Sequence, residues 1–403
     1  MINGKMNIKL APVVLFVYNR PWHTKCVIEA LKNNTLAKKS DLIIFSDGPR
    51  DDKAIEAVVE IRRYLLSVSG FRTVKVIERD RNYGLADNII DGVTSVVKQY
   101  GNIIVLEDDV VTSKYFLKYM NDALSIYEDE KCVWQISGSV EPFRILRYKS
   151  EDETFFLRQG QCGWGWGTWD DRWEYYKRNP EELLKKYNTK QKIKFINKSV
   201  YPGTWRQIKD NYTGKLRTWA VFFDIMILEN NGLVLWPKYT LSKNIGFDGS
   251  GEHCGNDKEY NVSLDECIVN EFTTEIHLNK EMTGALQNDI YEELKKLNVF
   301  LTDKNKIVIY GAGDFANKVY KYCKIKNIYV DFFIVTSNPS GNIDGISILD
   351  ADSIIGNESI IVAVSEQYHR EVAQVLGKYS CVRLFYVSNK LYNLIIDELE
   401  ETI

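Results

Sequence analysis

The sequence predicts an α/β protein with two domains, each built on a mostly parallel β-sheet. The chain has 403 residues, which is more than one ordinary domain needs. Strand patterns alternate with helix patterns in the first third of the chain, and the same alternation restarts near residue 297. We therefore expect a first domain over residues 1–290 and a smaller second domain over residues 297–403.

Four strand patterns, each followed by a helix pattern, begin the chain. Short apolar runs rich in β-branched residues indicate buried strands, and longer amphipathic runs indicate helices. The strands are expected at residues 11–18, 41–48, 72–78 and 103–106, and the helices at 24–31, 54–67, 87–100 and 114–127. Repeated strand–helix steps of this kind predict a mostly parallel sheet with helices on both faces.

Three consecutive carboxylates follow the fourth strand. In an extended chain Glu107 and Asp109 lie on one face and Asp108 on the other. Such close like charges raise one another's pKa unless a cation neutralises them. A carboxylate pair at the end of a buried strand suits a divalent metal that holds a diphosphate, and the alternative is a polar turn.

Polar residues also follow the first two strands, and ligands of parallel α/β sheets bind where strands end. Asn19 and Arg20 follow the first strand, and a guanidinium matches phosphate oxygens in a fork. Asp47 follows the second and can accept from a base or a ribose hydroxyl, although it also suits the turn at residues 46–49. No G-x-G-x-x-G follows the first strand, which disfavours a dinucleotide site in this half.

Two glycine-rich stretches lie further along the first domain. Glycines alternate with Trp164 and Trp166 in residues 160–173, so that backbone and flat rings can approach a ligand; a packed aromatic turn is the alternative. Residues 244–253 form a second glycine-rich loop that ends at His253, which could supply a nitrogen ligand to Mn²⁺. Six lysines in residues 185–198 indicate a solvated helix face or a contact with an anionic lipid or substrate.

Composition excludes several classes of protein. A net charge of −3 provides no basic field for nucleic acid. The seven cysteines form no C-x-x-C pair, which suggests reduced thiols in a cytoplasm. The polar start of the chain is too short for a signal peptide, and no apolar run is long enough to span a membrane. We expect a cytoplasmic protein, and peripheral contact with the inner face of the membrane is a further option.

Residues from about 11 to 255 resemble metal-dependent, nucleotide-sugar glycosyltransferases of the A-type fold. The resemblance is to the N-acetylglucosaminyltransferase I group and its bacterial surface-polysaccharide relatives. Six ordered motifs carry it, namely Tyr18-Asn19-Arg20, Ser46-Asp47-Gly48, Asn82-Tyr83-Gly84-Leu85-Ala86, Glu107-Asp108-Asp109, Gly163-Trp164-Gly165-Trp166 and residues 244–251. They extend over roughly 60% of the chain, and each alone is weak.

The resemblance implies a role for each matching residue. Asp109 would bind Mn²⁺ or Mg²⁺, Asp47 would read a uracil-like base, and His253 would lie near the diphosphate. Glu107 and Asp108 would hold the ribose, the sugar or Arg20. The other residues expected at the donor site are Asn19, Asn82, Gly84, Trp164, Gly165 and Trp166.

The catalytic base is the point where this chain departs from the family pattern. The eukaryotic relatives place an acid beside a tryptophan in the helix after the Gly-Trp turn, whereas Ala220 follows Trp219 here. Asp224 lies about one turn further on, and Asp170 and Asp171 beside Trp169 are the other candidates. An inverting transfer is implied by the resemblance alone.

The second domain resembles the small Rossmann-type modules that precede bacterial sugar acyltransferases or are appended to transferases. Residues 306–316 read as a strand and a G-x-G-x-x-A turn into a helix. The next strand ends in Val335-Thr336-Ser337-Asn338, without the acid expected for a ribose. A nucleotide site and a scaffold that forms a homo-oligomer both remain open.

The function expected from the sequence is transfer of a hexose or N-acetylhexosamine from a UDP-sugar to a glycan or lipid-linked acceptor. Synthesis of a bacterial surface polysaccharide is the expected setting. Two alternatives stay open. A sugar nucleotidyltransferase would usually carry a glycine- and Lys/Arg-rich loop after the first strand, and a silent nucleotide-sugar-binding module is suggested by the missing acid beside Trp219.

Overall fold

The computed structural model describes residues 10–140, 144–158, 163–249, 262–302, 305–380 and 382–401. The protein is mixed α/β and divides into two compact units. The first unit comprises Met1–Leu183 and Asp210–Leu286, and the second comprises Leu184–Lys209 and Gln287–Ile403. The predicted fold class, with one large mostly parallel sheet and a second parallel sheet, is confirmed.

The described residues of the first unit form ten strands. They are β1 (Val13–Val17), β2 (Asp41–Ser46), β3 (Thr73–Glu78), β4 (Asn102–Glu107), β5 (Val110–Thr112), β6 (Val133–Ser137), β7 (Thr154–Leu157), β8 (Trp166–Trp169), β9 (Leu233–Pro237) and β10 (Ser242–Asn244). Its helices are α1 (Pro21–Lys32), α2 (Asp52–Leu65), α3 (Leu85–Tyr100), α4 (Phe116–Ile126), α5 (Arg144–Lys149), α6 (Asp170–Trp173) and α10 (Ala220–Glu229). Helices α7 to α9 are described with the second unit.

Eight of these strands form one sheet in the order β3-β2-β1-β4-β8-β6-β9-β7. The first four are parallel, with Leu15 of β1 beside Ile44 of β2 and Leu106 of β4. β8 runs antiparallel to both β4 and β6, and β7 runs antiparallel to β9. We call the side on which β1, β2 and β4 end the carboxyl edge, where ligands of such sheets bind.

Apolar burial on both faces explains why these strands are central. All five residues of β1 and the middle four of β4 are buried. Runs without polar alternation are typical of strands covered by helices on both faces. α2 is amphipathic, and its first turn is capped because the Asp51 carboxylate accepts a hydrogen bond from the Ala54 N–H. The strand–helix units that the sequence predicted therefore fix the position of the carboxyl edge.

The second unit contains a six-stranded sheet in the order β13-β14-β12-β11-β15-β16, parallel except for β13. Its strands are β11 (Lys306–Tyr310), β12 (Phe332–Val335), β13 (Asn342–Ile343), β14 (Ile346–Asp350), β15 (Glu358–Val362) and β16 (Arg383–Tyr386). Its helices are α12 (Glu292–Phe300), α13 (Asp314–Ile325), α14 (His369–Leu376), α15 (Asn389–Glu400) and α8 (Lys190–Ser199). Three further helices cross the division between the units, α7 (Pro180–Lys186), α9 (Thr204–Tyr212) and α11 (Lys280–Ile290).

The lysine-rich segment is placed differently from the prediction. Residues 184–209 were assigned to the first domain, yet they belong to the second unit. Ile193 and Ile196 of α8 are buried, and Lys209 Nζ lies 2.7 Å from Glu400 Oε1 on α15. Sequence order could not reveal this, because the partners on α15 are almost 200 residues away along the chain.

A buried carboxylate on α15 makes the second unit sensitive to pH. Burial raises the pKa of Asp397 to about 7, and Glu400 and Glu401 add to the rise, although Arg206, whose Nη1 is 3.6 Å away, opposes it. The folded protein thus holds this proton more tightly than the unfolded chain, whose aspartates titrate near pH ~4. Stability is therefore lost as the pH rises from about 4 to about 7.

We expect Asp397→Asn to stabilise the protein at pH 8 by on the order of 2 kcal/mol, because the variant avoids burying an ionised carboxylate. The gain should disappear at pH 4, where the wild-type side chain is neutral. Urea unfolding at both pH values measures the difference. A variant less stable than wild type at pH 8 would mean that attraction to Arg206 outweighs the burial cost.

Among the described residues, no helix is both long enough and apolar enough to cross a membrane.

Candidate functional site

The carboxyl edge brings together the residues that follow β1 and β4. Arg20 follows β1, and the acidic motif follows β4, which is hydrogen-bonded to β1. Arg20 Nη2 lies 2.8 Å from Asp109 Oδ2 and also contacts Asp108. The Tyr18 N–H donates to the other oxygen of Asp108 at 3.4 Å. Two predicted motifs, 88 and 89 residues apart, therefore form one cluster, while Asn19 is exposed beside it.

The guanidinium of Arg20 is the cation of this cluster. Burial lowers its pKa, but Asp108 and Asp109 outweigh burial and raise the pKa, so Arg20 stays charged. Its Nη1 is buried and has no hydrogen-bond acceptor among the described residues. Nη2 thus pairs with the acids, and Nη1 carries an N–H donor that no described residue accepts.

Two of the three acids, Glu107 and Asp108, resist ionisation. Burial raises the pKa of Glu107 to about 8, and Asp109 and Asp108 raise it further against the opposing effect of Arg20. Burial also raises the pKa of Asp108, although Arg20 opposes the rise. Asp108 and Asp109 are only 5% and 6% exposed. Glu107 and Asp108 therefore hold protons more readily than ordinary carboxyl groups, and a further cation would favour their ionised forms.

The glycine-rich loop lies directly against these carboxylates. β10 pairs with β5, and the Ile245 N–H donates to the Asp109 carbonyl at 2.8 Å. A Cβ on Gly246 would lie 2.5 Å from Asp109 Oδ2 and 2.9 Å from Arg20 Nη1. The loop can approach the cluster this closely only because residue 246 has no side chain.

His23 is a residue of this site that the sequence analysis missed. It lies in the first turn of α1, is 6% exposed, and its Nε2 is 3.1 Å from Asp248 Oδ2 in the glycine-rich loop. The exposed ring of Trp22 meets the His23 ring edge-on, with the centroids 4.9 Å apart. The signal available was its position three residues after Arg20, in the first turn of the helix that begins at Pro21.

A divalent metal fits the chemistry of the cluster if substrate oxygens complete its shell. Among the described residues, no group of three or more His, Cys, Asp or Glu side chains is arranged to hold a metal. The Arg20 guanidinium already pairs with Asp108 and Asp109, as a metal ion would. Mg²⁺ commonly binds through one or two carboxylates together with substrate phosphates, which is the ligand set available here. His253, the other predicted metal ligand, lies outside the described residues.

Asp47 is a turn-forming residue in this structure. It is buried, and its two oxygens accept hydrogen bonds from the N–H groups of Gly48, Tyr83 and Gly84 and from the Asn82 amide, at 2.8–3.3 Å. Asn82 also donates to the Gly48 carbonyl at 2.8 Å. The carboxylate that was expected to read a base thus holds the turn that contains Asn82 and Gly84. The alternative from the sequence was the turn at residues 46–49, to which only the bond from the Gly48 N–H belongs. A nucleobase could bind the Asp47 carboxylate only in competition with these hydrogen bonds.

We expect Asp47→Ala to lower the free energy of unfolding by about 3 kcal/mol, since the substitution leaves buried N–H groups without an acceptor. Asp51→Ala is the matched control. It removes an exposed carboxylate that caps α2, and about 1 kcal/mol is expected from it. Urea unfolding compares the two variants. An Asp47→Ala protein as stable as wild type would show that the carboxylate does not hold the turn.

The tryptophans of the Gly-Trp stretch divide into one core residue and one site residue. Trp166 is 0% exposed and stacks on Trp219, with centroids 5.1 Å apart, so it packs the core and cannot stack on a ligand. Trp164 is partly exposed and meets Phe247 of the glycine-rich loop edge-on. Gly165 accepts a hydrogen bond from the Gly138 N–H at 2.8 Å. Residues 159–162 lie outside the described residues.

Asp170 and Asp171 are not at this site, which corrects their assignment as candidate bases. β8 runs antiparallel to β4, so Trp169 pairs with Asn102 at the amino end of β4. Five residues of strand, roughly 17 Å, separate that end from Glu107. Asp171 instead bonds Lys131 at 2.7 Å and the buried Arg172 at 2.6 Å.

Of the three candidate bases, Asp224 is the one that the strand directions do not exclude from the carboxyl edge; it lies in the middle of α10 and is 5% exposed. α10 runs into β9 through a tight turn, in which the Gly232 N–H donates to the Ile227 carbonyl at 2.7 Å. β9 is parallel to β6 and therefore to β4, so α10 begins on the side of the carboxyl edge. Burial raises the pKa of Asp224 well above its ordinary value. Such a group favours holding a proton.

The glycine turn of the second unit is formed by Gly311 at the end of β11. A Cβ on Gly311 would lie 2.8 Å from the Ala363 carbonyl oxygen, so the turn packs against the end of β15. Tyr310 Oη lies 3.3 Å from Thr336 Oγ1 after β12, where the sequence has no acid. Whether this turn binds a nucleotide stays a prediction.

No protein-family profile and no curated protein sequence matches the chain. Solved structures that are similar in part include S. aureus TarS, with 16% identity, a TM-score of 0.22, and coverage of 31% of this chain and 21% of that one. TarS 1-349 in complex with UDP gives 15% identity, a TM-score of 0.22, and coverage of 31% and 34%. The mannosyltransferase PcManGT from Pyrobaculum calidifontis, in complex with GDP-Man and Mn²⁺, gives 11% identity, a TM-score of 0.29, and coverage of 56% and 73%.

The chain thus spans about a fifth of the length of the TarS chain. TM-scores of 0.22 and 0.29 are too low to establish a common fold.

Proposed function

We propose that the chain is a metal-dependent glycosyltransferase that moves a sugar from a UDP-sugar, with inversion, to a glycan or lipid-linked acceptor. The observation that carries the proposal is the cluster of Arg20, Asp108 and Asp109 at the carboxyl edge of a mostly parallel sheet. Clustered carboxyl groups, beside a guanidinium N–H that has no acceptor among the described residues, suit a nucleoside diphosphate that arrives with a divalent metal.

In this proposal each residue has a defined task. Asp109 holds Mn²⁺ or Mg²⁺, which when bound neutralises charge that develops on the departing diphosphate. Arg20 donates to a phosphoryl oxygen, and Glu107 and Asp108 hold the ribose, the sugar or Arg20 itself. Asp47 positions the turn that carries Asn82 and Gly84. His23 and Asp248 hold the glycine-rich loop against α1.

Asp224 is proposed as the group that takes the proton of the acceptor hydroxyl. A general base must lie within hydrogen-bond reach of that proton in the reacting complex. Because burial raises its pKa, the Asp224 carboxyl has to lose its own proton before it can act as the base. Asp170 and Asp171 have no part in this step, because they lie at the other end of β4.

The proposal is tested by the release of nucleoside diphosphate from UDP-sugars with Mn²⁺ and with EDTA. GDP-sugars are assayed alongside, because Asp47 is engaged by the protein and no other described residue fixes the base. We expect slow metal-dependent hydrolysis that accelerates with an acceptor glycan. Pyrophosphate release from nucleoside triphosphates would favour a nucleotidyltransferase, and tight nucleotide binding without turnover would favour a silent binding module.

A further inference from the structure

Arg20 occupies the position that the proposed metal and the proposed phosphate both need. Its Nη2 lies 2.8 Å from Asp109 Oδ2 and contacts Asp108, while its buried Nη1 has no acceptor among the described residues and lies beside Gly246 of the glycine-rich loop. A buried N–H donor without an acceptor is costly, and a ligand that supplies one is therefore favoured.

The guanidinium and a divalent metal compete for Asp109. A metal about 2.1 Å from Oδ2 would lie within roughly 5 Å of a nitrogen that is 2.8 Å from the same oxygen. Two positive charges so close in a buried site repel. Binding of the metal at Oδ2 therefore favours movement of the guanidinium away from that oxygen.

We propose that Arg20 is an internal counter-ion that the metal displaces from Asp109, and that the displaced guanidinium then binds the diphosphate of the donor. Asp108 keeps Arg20 at the site during the exchange, because it bonds the same nitrogen from a second direction. Metal and nucleotide binding are therefore coupled, with the metal first. This inference rests on the proposed function, since it takes Asp109 as the metal ligand.

The decisive variant is Arg20→Gln, which removes the competing charge and keeps a side chain of moderate length. We expect it to bind Mn²⁺ alone about tenfold more tightly than wild type, because no guanidinium has to be displaced. With saturating Mn²⁺ it should bind UDP and GDP at least about tenfold more weakly, because the phosphate contact is lost. A residue that only stabilised the fold would not produce opposite changes in two affinities.

Arg50→Gln is the matched control. It removes the same charge near the carboxyl edge, where the Arg50 N–H donates to Tyr18 Oη, and the Arg50 side chain is 64% exposed. It should change the affinity for Mn²⁺ less than twofold. Mn²⁺ binding is measured by electron paramagnetic resonance of the free ion and nucleotide binding by calorimetry.

A second measurement uses the wild-type protein and so does not depend on the folding of a variant. Mass spectrometry after phenylglyoxal treatment reports how reactive the Arg20 guanidinium is. Mn²⁺ should increase labelling of Arg20 and added UDP or GDP should decrease it, while labelling of Arg50 stays constant.

The outcomes separate the inference from the proposed function. If wild type binds Mn²⁺ and Arg20→Gln binds it no more tightly, or Mn²⁺ leaves Arg20 labelling unchanged, the counter-ion role is overturned while the metal site stands. If neither protein binds Mn²⁺ with or without nucleotide, the metal site fails and the inference fails with it.

Discussion

Asp109→Asn should abolish metal-dependent binding of the nucleoside diphosphate, with an affinity loss of about a hundredfold or more and a similar or larger loss of turnover. The amide keeps the size of the side chain but removes the charge that a divalent cation needs. Arg20 would remain bonded to Asp108, so the fold around the site should survive. Calorimetry with UDP or GDP in the presence of Mn²⁺ measures the binding loss.

Asp171→Asn is the control for this experiment. It makes the same chemical change at an acid that bonds Lys131 and Arg172 at the far end of β4. Nucleotide affinity in this variant should equal that of wild type. Equal affinities for wild type and Asp109→Asn would remove Asp109 from the metal site.

Asp224→Asn should lower the turnover number by about 10²- to 10⁴-fold, which is the usual contribution of a general base. The affinity for nucleoside diphosphate should change little, because Asp224 is proposed to act on the acceptor hydroxyl. Turnover is measured with an acceptor at saturating donor, and binding is measured separately by calorimetry.

Asp170→Asn serves as the comparison, since Asp170 was an equally good candidate by sequence. It should keep wild-type turnover, because its backbone N–H donates to Gly101 at the amino end of β4 and not at the carboxyl edge. Loss of turnover in Asp170→Asn with full activity in Asp224→Asn would reverse the two assignments.

The part of the site that could be predicted from the sequence is the part set by strand direction. Parallel strands bring their ends to one edge, so apolar runs that end in Arg20 and in Asp108-Asp109 predict a shared location without any long-range information. The structure confirms this meeting of the two motifs. The same logic predicted the fold class, because buried parallel strands are recognisable as continuous apolar runs.

Strand reversal explains the error at Asp170 and Asp171. The sequence around β8 carries no signal that it runs antiparallel to β4, and that direction moves the two acids about a strand length away. Trp166 was misplaced for a related reason, since glycines beside a tryptophan suit a ligand site and a tightly packed core equally well. Only the burial of its ring decides between them.

Long-range pairing explains the other differences. The contact between His23 and Asp248 joins residues more than 200 positions apart, and periodicity cannot detect it. The Asp47 carboxylate accepts hydrogen bonds from backbone N–H groups of the turn at residues 82–84. The sequence around Asp47 could not show that its oxygens already accept these bonds. Residues 184–209 belong with α15 for the same reason.

The central claim is that the acids at the end of β4 hold a divalent metal against a nucleoside diphosphate. A crystal structure with UDP and Mn²⁺, in which anomalous scattering locates the manganese, tests it most directly. We expect Mn²⁺ bonded to Asp109 at about 2.2 Å and to the diphosphate, with Arg20 turned from Asp109 to a phosphoryl oxygen. Manganese and nucleotide bound elsewhere, with Arg20 still on Asp108 and Asp109, would contradict the claim.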